Sequence, residues 1–293
     1  MTTGTSGLLG SALVPALEAD GHDVLRLVRR PTSSNAEVGW NPAAGTIDAA
    51  ALAGVEAAIH LSGATIGRRW TSSRKAEIRA SRVDSTRLLS ETLAVLDPPP
   101  AVLVCAGGVG IYGDRGDEIL TEESTLGDGF LADVGRAWEE AAEPARAGGI
   151  RVVNFRQGIV LTRRGGALER MLTPFKLGVG GRVGGGKQWW SWVELNDLVD
   201  AYRHALTSDL TGPVNLMSPN PATNEQFTSA LGKALHRPTV VPLPTVMART
   251  IFGEMGGEVL LGGQRALPAK LLDTGFTFRH ADLGSALERA LAE

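Results

Sequence analysis

The chain contains two tyrosines, Tyr112 and Tyr202, and the first lies where a reactive hydroxyl would be useful. Tyr112 follows an apolar run and a cluster of glycines in the stretch VLVCAGGVGIYGDRGDE. A tyrosine with a lysine four residues later can move a proton to or from a substrate oxygen, because the cation lowers the phenol pKa from about 10. Gly116 and Leu206 occupy those fourth positions, so the pair is absent. Three roles for Tyr112 stay open: proton transfer, positioning of a bound molecule, or a structural role.

Two other cations could supply the charge that a lysine partner would provide. Arg156, in the strand-like segment NFRQGIVL, could meet a substrate anion or form a structural salt bridge. Lys187 ends a segment, GGRVGGGK, that contains the pattern G-x-x-x-x-G-K. Gln188 replaces the Ser or Thr that would bind Mg²⁺, so the pattern does not predict an ATP or GTP loop. We expect a loop over a substrate or cofactor phosphate, with Lys187 as a point charge.

A glycine-rich turn opens the sequence, and its spacing suits a dinucleotide. GTSGLLG places glycines at G-x-x-G-x-x-G spacing directly before a helix with leucines at helical spacing. Such glycines make a tight turn, let the backbone approach a pyrophosphate and pack the helix on a strand. The alternative is an ordinary glycine-rich turn. Only Met1–Thr3 precede it, so either the first strand is very short or the chain begins late. The predicted cofactor contacts in this turn are Gly4, Thr5, Ser6, Gly7, Leu8 and Gly10.

The end of the second predicted strand distinguishes between the two nicotinamide cofactors. An acidic residue about 20 positions after the glycines would hold the ribose 2′-hydroxyl of NAD. The stretch LRLVRRP instead supplies Arg29 and Arg30 and no acid. A guanidinium there can form bidentate, charge-assisted hydrogen bonds with a 2′-phosphate. The sequence therefore predicts NADP rather than NAD, and the alternative is two solvated surface arginines.

Strand-like and helical segments must position these residues, and they alternate up to about residue 162. The predicted strands are 23–28, 53–63, 100–108 and 150–161, and the predicted helices are 74–96 and 129–149. This alternation predicts an α/β fold, a Rossmann-type doubly wound parallel sheet with a smaller C-terminal α+β substrate portion. We expect an NADP-binding domain over 1–165 and a substrate-binding portion over 166–293. Segments near 190–220 are candidates to return to the first domain.

Composition limits the function classes. The chain has 293 residues, a net charge of −3, one cysteine (Cys105) and five histidines. The absence of a basic excess argues against nucleic acid as a partner, and so few Cys and His residues argue against disulfides and a metal site. With no leader and no run of about 20 apolar residues, we expect a cytoplasmic protein without a membrane partner. We expect a small-molecule substrate and a monomer or homodimer.

Four segments carry a resemblance to a known family. They are GTSGLLGSALVPAL, HLSGATIGRRWTSSRKAEIRASRVDSTRLL, the stretch from GIYGDRGDEILTEES to GDGFLADV, and SWVELNDLV. Together they resemble the atypical extended short-chain dehydrogenases, and more narrowly the nucleoside-diphosphate-sugar epimerase-like proteins with a C-terminal extension. The extension would be residues 240–293. The resemblance covers essentially the whole chain and implies a Rossmann-type domain, NAD(P) binding and a small domain that closes a substrate cleft.

The resemblance also assigns roles to single positions. It implies that Ser81 and Arg82 help to shape the cofactor cleft. On the helix that carries the superfamily's catalytic pair, Leu131 stands at the tyrosine place, Gly135 at the lysine place, and Glu139 retains the final acid. The residues that would line the adenine-ribose side are His60, Leu61, Ser62 and Gly63.

Two functions from different classes remain open. The first is an NADP(H)-dependent oxidoreductase or epimerase that acts on a small polar substrate, with nucleotide-linked molecules as one class. The second is an NADP(H)-binding sensor or scaffold with little or no catalysis, which the missing tyrosine–lysine pair favours. Motifs of serine hydrolases and zinc proteases are not visible in the sequence.

Overall fold

A computed structural model describes residues 1–292 as a large sheet with helices on both faces and a second, mainly helical region. Strands β1 to β14 are Thr2–Thr3, Arg26–Val28, Glu37–Asn41, Thr46–Ile47, Ala57–His60, Val102–Gly108, Ile119–Leu120, Arg151–Gln157, Ile159–Leu161, Trp189–Trp190, Trp192–Glu194, Gly212–Leu216, Ala222–Thr223 and Arg265–Ala266. Helices α1 to α10 are Leu8–Ala19, Ser72–Ala94, Phe130–Glu140, Glu143–Ala147, Gly166–Lys176, Leu195–Thr207, Asn224–Leu235, Thr245–Phe252, Ala269–Asp273 and Leu283–Ala292.

The large sheet has the strand order β12-β8-β6-β5-β1-β2-β3-β4. All of its pairings are parallel except the one between β3 and β4. The order reverses at β1, where the chain passes from one half of the sheet to the other, as in doubly wound nucleotide-binding folds. This topology confirms the predicted Rossmann-type fold.

Strand β1 is short, and it lies at the centre of the sheet. Thr2 and Thr3 pair with β2 on one side and with β5 on the other. Met1 extends this ladder, since its ammonium donates to the Ala57 carbonyl at 2.7 Å and its carbonyl accepts from Ile59 N at 2.9 Å. The short strand is therefore fully integrated into the sheet.

The two faces of the sheet bury separate cores, as the period-two alternation of a strand requires. Along β6, Val102 and Val104 point to the face covered by α1 and α6, whereas Leu103 and Cys105 point to the face covered by α2 and α4. This arrangement leaves the carboxyl ends of the strands as the open edge, where ligands bind in such folds.

Two predicted elements are broken in the structure. The predicted strand 150–161 divides at Gly158, where a Cβ would lie 2.6 Å from the Ser191 carbonyl oxygen, and β9 then pairs with β11 outside the large sheet. The predicted helix 129–149 divides between α3 and α4 because Pro144 lies in the first turn of the second helix. Proline has no N–H to continue a helical ladder, and the first turn is where it is tolerated.

The later part of the chain contacts segments near the open edge, through Arg170 to Gly67 and through Glu258 to α3, and also returns to the sheet. Strand β12 pairs with β8, and β14 pairs with β7 in the loop region after β6. The division of the chain at about residue 165 therefore remains our proposal. Within residues 1–292 no helix is long and apolar enough to cross a membrane. In the same range no group of three or more His, Cys, Asp or Glu side chains could hold a metal ion.

Candidate cofactor and substrate site

The glycine turn after β1 has the close contacts that a dinucleotide cradle requires. Gly4 has φ +67°, and a Cβ there would lie 2.9 Å from the carbonyl carbon of Leu61. A Cβ on Gly10 would lie 2.4 Å from the Gly4 carbonyl oxygen and 2.5 Å from Thr5 Cα. These neighbours are backbone atoms, so any side chain at either position would force the turn to move. The two glycines fix the turn between helix α1 and the end of β5.

The N-terminus of α1 is available for an anion. Gly7 is the N-cap, and no side chain caps the helix. The N–H groups of the first turn have no acceptor within the helix and form the positive end of its dipole. Ser6 and Gly7 are exposed, so a ligand can reach these groups. The turn therefore fits a pyrophosphate, and the contacts of Gly4–Leu8 and Gly10 with a cofactor all stay predictions.

The structure separates the roles of the two arginines after β2. Arg30 is engaged, because its guanidinium forms a two-point ion pair with Glu37, at 2.5 Å from Nη2 to Oε1 and 3.0 Å from Nη1 to Oε2. Arg29 is exposed, and no hydrogen bond or ion pair within residues 1–292 engages it. Arg29 is therefore the better candidate for a 2′-phosphate.

His60 is buried inside the sheet rather than exposed at its edge. The ring is fully buried, with Nδ1 2.8 Å from Thr3 Oγ1 and Nε2 3.1 Å from Ser85 Oγ. Burial lowers the pKa of His60 to about 3, so the ring is neutral at physiological pH and links β1, β5 and α2. The residues that follow are more accessible to solvent: Leu61 and Ser62 are half-buried and Gly63 is exposed. These three residues are the ones that can contact a ligand.

Tyr112 is enclosed by protein. Its side chain is 0% exposed, and its hydroxyl lies 2.9 Å from the Thr121 carbonyl oxygen and 2.8 Å from Asn215 Oδ1, which compete for its single proton. The hydroxyl also accepts a hydrogen bond from Arg156 Nη1 at 2.8 Å. Burial raises the pKa of Tyr112 in spite of the adjacent guanidinium. This geometry favours the structural alternative for Tyr112.

Arg156 is likewise fully engaged. Its side chain is 4% exposed, and it donates from Nε and Nη2 to the two carboxylate oxygens of Glu139, both at 2.8 Å. Its guanidinium carbon lies 5.0 Å from the centre of the Tyr112 ring. The arrangement favours the structural salt bridge over contact with a substrate anion. Glu139, the acid retained in the family pattern, is the partner that makes this salt bridge.

The positions that the resemblance assigns to the superfamily's catalytic pair are filled by packing. A 3-10 turn, Val109–Tyr112, lies against helix α3. A Cβ on Gly135, at the lysine place, would lie 2.9 Å from Ile111 Cβ, and a Cβ on Gly110 would lie 3.1 Å from Leu131 Cδ1. No room is left there for a lysine side chain.

The loop that carries Lys187 is held by the later part of the chain. Gln188 donates from Nε2 to the carbonyls of Val183 and Leu260, at 3.0 and 2.8 Å. A Cβ on Gly181 would lie 2.0 Å from the Val241 carbonyl oxygen. Lys187 itself is exposed, and its contact with a ligand stays a prediction.

One contact near the site was not visible in the sequence. The carboxylate of Glu258 accepts hydrogen bonds from Phe130 N and Leu131 N, each at 2.9 Å, at the N-terminus of α3. A carboxylate is favourable at this positive end of a helix. The residues are more than 120 positions apart in sequence, and no local pattern marks the pairing.

Comparison with known proteins identifies relatives over the whole chain. Residues 1–216 match the family model described as the NAD dependent epimerase/dehydratase family, and residues 243–290 match a domain of unknown function, DUF1731. The epimerase family protein MT2273 of Mycobacterium tuberculosis is 46% identical over 97% of this chain and 94% of its own.

Two solved structures share both sequence and fold with this chain. A crystal structure of human epimerase family protein SDR39U1 (isoform 2) with NADPH has a TM-score of 0.89 at 33% identity, and the match covers 100% of this chain and 98% of that one. The nucleoside-diphosphate sugar epimerase from Corynebacterium glutamicum has a TM-score of 0.82 at 38% identity, and the match covers 99% of this chain and 57% of that one.

Proposed function

This chain belongs to the NAD dependent epimerase/dehydratase family, and on that premise we propose that it binds NADP(H) and acts as an oxidoreductase or epimerase on a small polar substrate. The observation that carries the proposal is the uncapped α1 N-terminus in the Gly4–Gly10 turn, with the exposed Arg29 at the end of the neighbouring strand. The NADPH in the human relative supports the choice of cofactor.

Different residues of the chain bind different groups of the cofactor and the substrate. Backbone N–H groups of the turn hold the pyrophosphate, and Arg29 holds the 2′-phosphate. Backbone at Leu61–Gly63 lines the ribose, and Lys187 contacts the substrate. A bound nicotinamide supplies hydride exchange at its C4 atom. Because Tyr112 is enclosed and hydrogen-bonded, the proton of the substrate oxygen is handled by a group other than Tyr112.

A second candidate function is supported by a specific observation. At the positions that the resemblance assigns to the pair, a Cβ on Gly135 would meet Ile111, and the nearby tyrosine hydroxyl is buried, so we infer that the usual proton route of the superfamily is closed. A protein that binds NADP(H) without turnover, as a sensor or scaffold, would have this same arrangement. Turnover is the property that separates the two.

The test begins with fluorescence titration of the purified chain with NADPH and NADH. Loss of a charge-assisted hydrogen bond costs about 1.5–3 kcal/mol, so Arg29→Gln should weaken NADPH binding by about ten-fold or more and leave NADH unchanged. Arg30→Gln is the matched control and should have little effect on either cofactor. If Arg29→Gln leaves NADPH affinity unchanged, the 2′-phosphate assignment is wrong.

Turnover is then measured as loss of NADPH absorbance with a panel of carbonyl compounds. Oxidation of NADPH by any member of the panel supports the enzyme. Tight NADPH binding without turnover across the panel supports the sensor or scaffold, and a wild-type chain that does not bind NADPH contradicts both functions.

A further inference from the structure

Large apolar side chains are exposed together on the part of the chain that follows α5. Ten such side chains are exposed in residues 1–292, and seven of them lie between residues 177 and 251. Four of the seven are on two segments, with Leu177 and Val179 on the first and Val240 and Val241 on the second. Single exposed apolar side chains are normal, whereas a cluster marks a surface that contacts a partner.

Backbone contacts join these two segments. Gly181 pairs with Val240 in an antiparallel bridge. The N–H of Leu243 donates to the Arg182 carbonyl, and the Leu243 carbonyl accepts from Gly184 N, both at 2.8 Å. Helix α8 begins two residues after Leu243 and carries the other three exposed side chains. The seven residues therefore belong to one unit of structure, and we call them the α8 surface.

Helix α8 itself presents an apolar face to solvent. Of its eight residues only Ala248 is buried, whereas Val246 is 75% exposed and Met247 and Ile251 are each 50% exposed. At about 100° per residue, these three side chains lie within an arc of about 140° that excludes Ala248. A surface helix normally buries its apolar stripe against the core. Helix α8 does the reverse, so its apolar face is available to a partner.

The segments that carry the α8 surface are cationic, although the chain has a net charge of −3. Residues 170–193 and 226–253 contain seven Lys or Arg residues and no Asp or Glu. Lys176, Arg237 and Arg249 are exposed, and no carboxylate within residues 1–292 pairs with them. Arg182 pairs with Glu225 at 3.1 Å. Uncompensated cations beside exposed aliphatic side chains match a partner that offers both anionic groups and apolar chains.

We propose that the α8 surface binds peripherally to an anionic lipid surface. A two-fold dimer through this surface is unfavourable, because it would place the same cations of two copies face to face. The exposed residues include no aromatic side chain, the usual anchor of a protein–protein interface. A peripheral contact needs no spanning segment, so it agrees with the absence of a spanning helix in residues 1–292. It replaces the sequence-based expectation of no membrane partner and does not depend on the cofactor.

The experiment measures co-sedimentation of the full chain with lipid vesicles, at low and at physiological salt. One set of vesicles contains phosphatidylcholine alone, and the other contains equal parts of phosphatidylcholine and phosphatidylglycerol. We expect the wild type to bind the anionic vesicles several-fold more tightly than the neutral ones. Binding to the anionic vesicles should weaken as salt screens the cations.

Variants test the apolar and the cationic contributions separately. Val246→Ser combined with Met247→Ser should weaken binding to anionic vesicles by about ten-fold or more, because two exposed apolar side chains no longer enter the lipid. Arg249→Gln should weaken it by about five-fold. The matched controls are Val95→Ser, at the end of α2 with 77% of the residue exposed, and Arg87→Gln, at an exposed position on α2. Both controls should bind as the wild type does.

Three results would overturn the proposal. The first is a wild type that does not bind anionic vesicles. The second is binding that the Val246→Ser and Met247→Ser pair leaves unchanged, because charge alone would then account for it. The third is a wild type that is dimeric by analytical ultracentrifugation and becomes monomeric in that pair, which would make the α8 surface an interface between copies. If the pair does not fold, Val240→Ser on the neighbouring segment takes its place, with the same expected loss of vesicle binding.

Discussion

The substitution Tyr112→Phe distinguishes a structural tyrosine from a catalytic one. It removes a hydroxyl that accepts from Arg156 Nη1 at 2.8 Å and lies 2.8 Å from Asn215 Oδ1, in a fully buried position. The phenyl ring keeps the packing, so the loss is confined to polar contacts. We expect the variant to be less stable but to bind NADPH as the wild type does.

The magnitude follows from the partners left behind. A buried donor or acceptor without a partner costs about 1–3 kcal/mol. Tyr112→Phe leaves the Arg156 guanidinium one bond short and leaves Asn215 Oδ1 without that donor, and it removes a hydroxyl that no longer needs desolvation. The expected loss in the free energy of unfolding is about 2 kcal/mol. Most of it should appear as a lower denaturation midpoint at unchanged slope.

The assay is equilibrium unfolding in urea, combined with NADPH titration and turnover on whichever substrate proves active. Tyr202→Phe is the control, because Tyr202 is the other tyrosine, is equally buried, and its hydroxyl accepts from the half-buried Gln157 at 2.5 Å. One such contact should cost about 1 kcal/mol. If Tyr112→Phe unfolds like the wild type while its turnover is abolished, the tyrosine is catalytic and the structural role is wrong.

Three further predictions concern His60, Gly10 and Glu258. His60→Gln should make the free energy of unfolding depend less on pH on the acid side. Native His60 resists protonation down to about pH 3, whereas the ring in the unfolded chain is protonated below about pH 6.5, so the wild type loses about 1.4 kcal/mol of stability per pH unit between these values. Equal pH dependence of both proteins in urea unfolding would contradict this. Gly10→Ala should displace the turn and weaken NADPH binding by about ten-fold or more in titrations. Gly39→Ala is the control and should not, because nothing lies within 4 Å of a Cβ at that position. Equal NADPH affinities of the two variants would show that the Gly4–Gly10 turn does not bind the cofactor. Glu258→Ala should lower the free energy of unfolding by about 0.5–2 kcal/mol through loss of the α3 cap, and a wild-type urea midpoint would show that the contact contributes nothing.

Local signals predicted the parts of the fold that depend on local sequence. The glycine turn and the alternation of strands and helices are encoded within a few residues, and both are found in the structure. The division of the predicted strand at Gly158 depends instead on the carbonyl of Ser191, in a segment that only tertiary packing brings close. No window of sequence around Gly158 contains that information.

The environment of Tyr112 was also beyond the reach of sequence patterns. Arg156 and Asn215 become neighbours because β8 and β12 pair in that register, and Glu139 reaches Arg156 from α3. The sequence indicated that the tyrosine lacked its usual lysine. Only the pairing of distant strands shows that its hydroxyl is already hydrogen-bonded to other groups. The same holds for Glu258, whose contact with α3 has no local signal.

A crystal structure of this chain with bound NADPH is the most direct test of the central claim. We expect the pyrophosphate against the N–H groups of the Gly4–Gly10 turn, the 2′-phosphate beside Arg29, and Tyr112 still hydrogen-bonded to Arg156. A cofactor bound away from the turn, a 2′-phosphate that does not meet Arg29, or a Tyr112 hydroxyl turned toward the nicotinamide would contradict it.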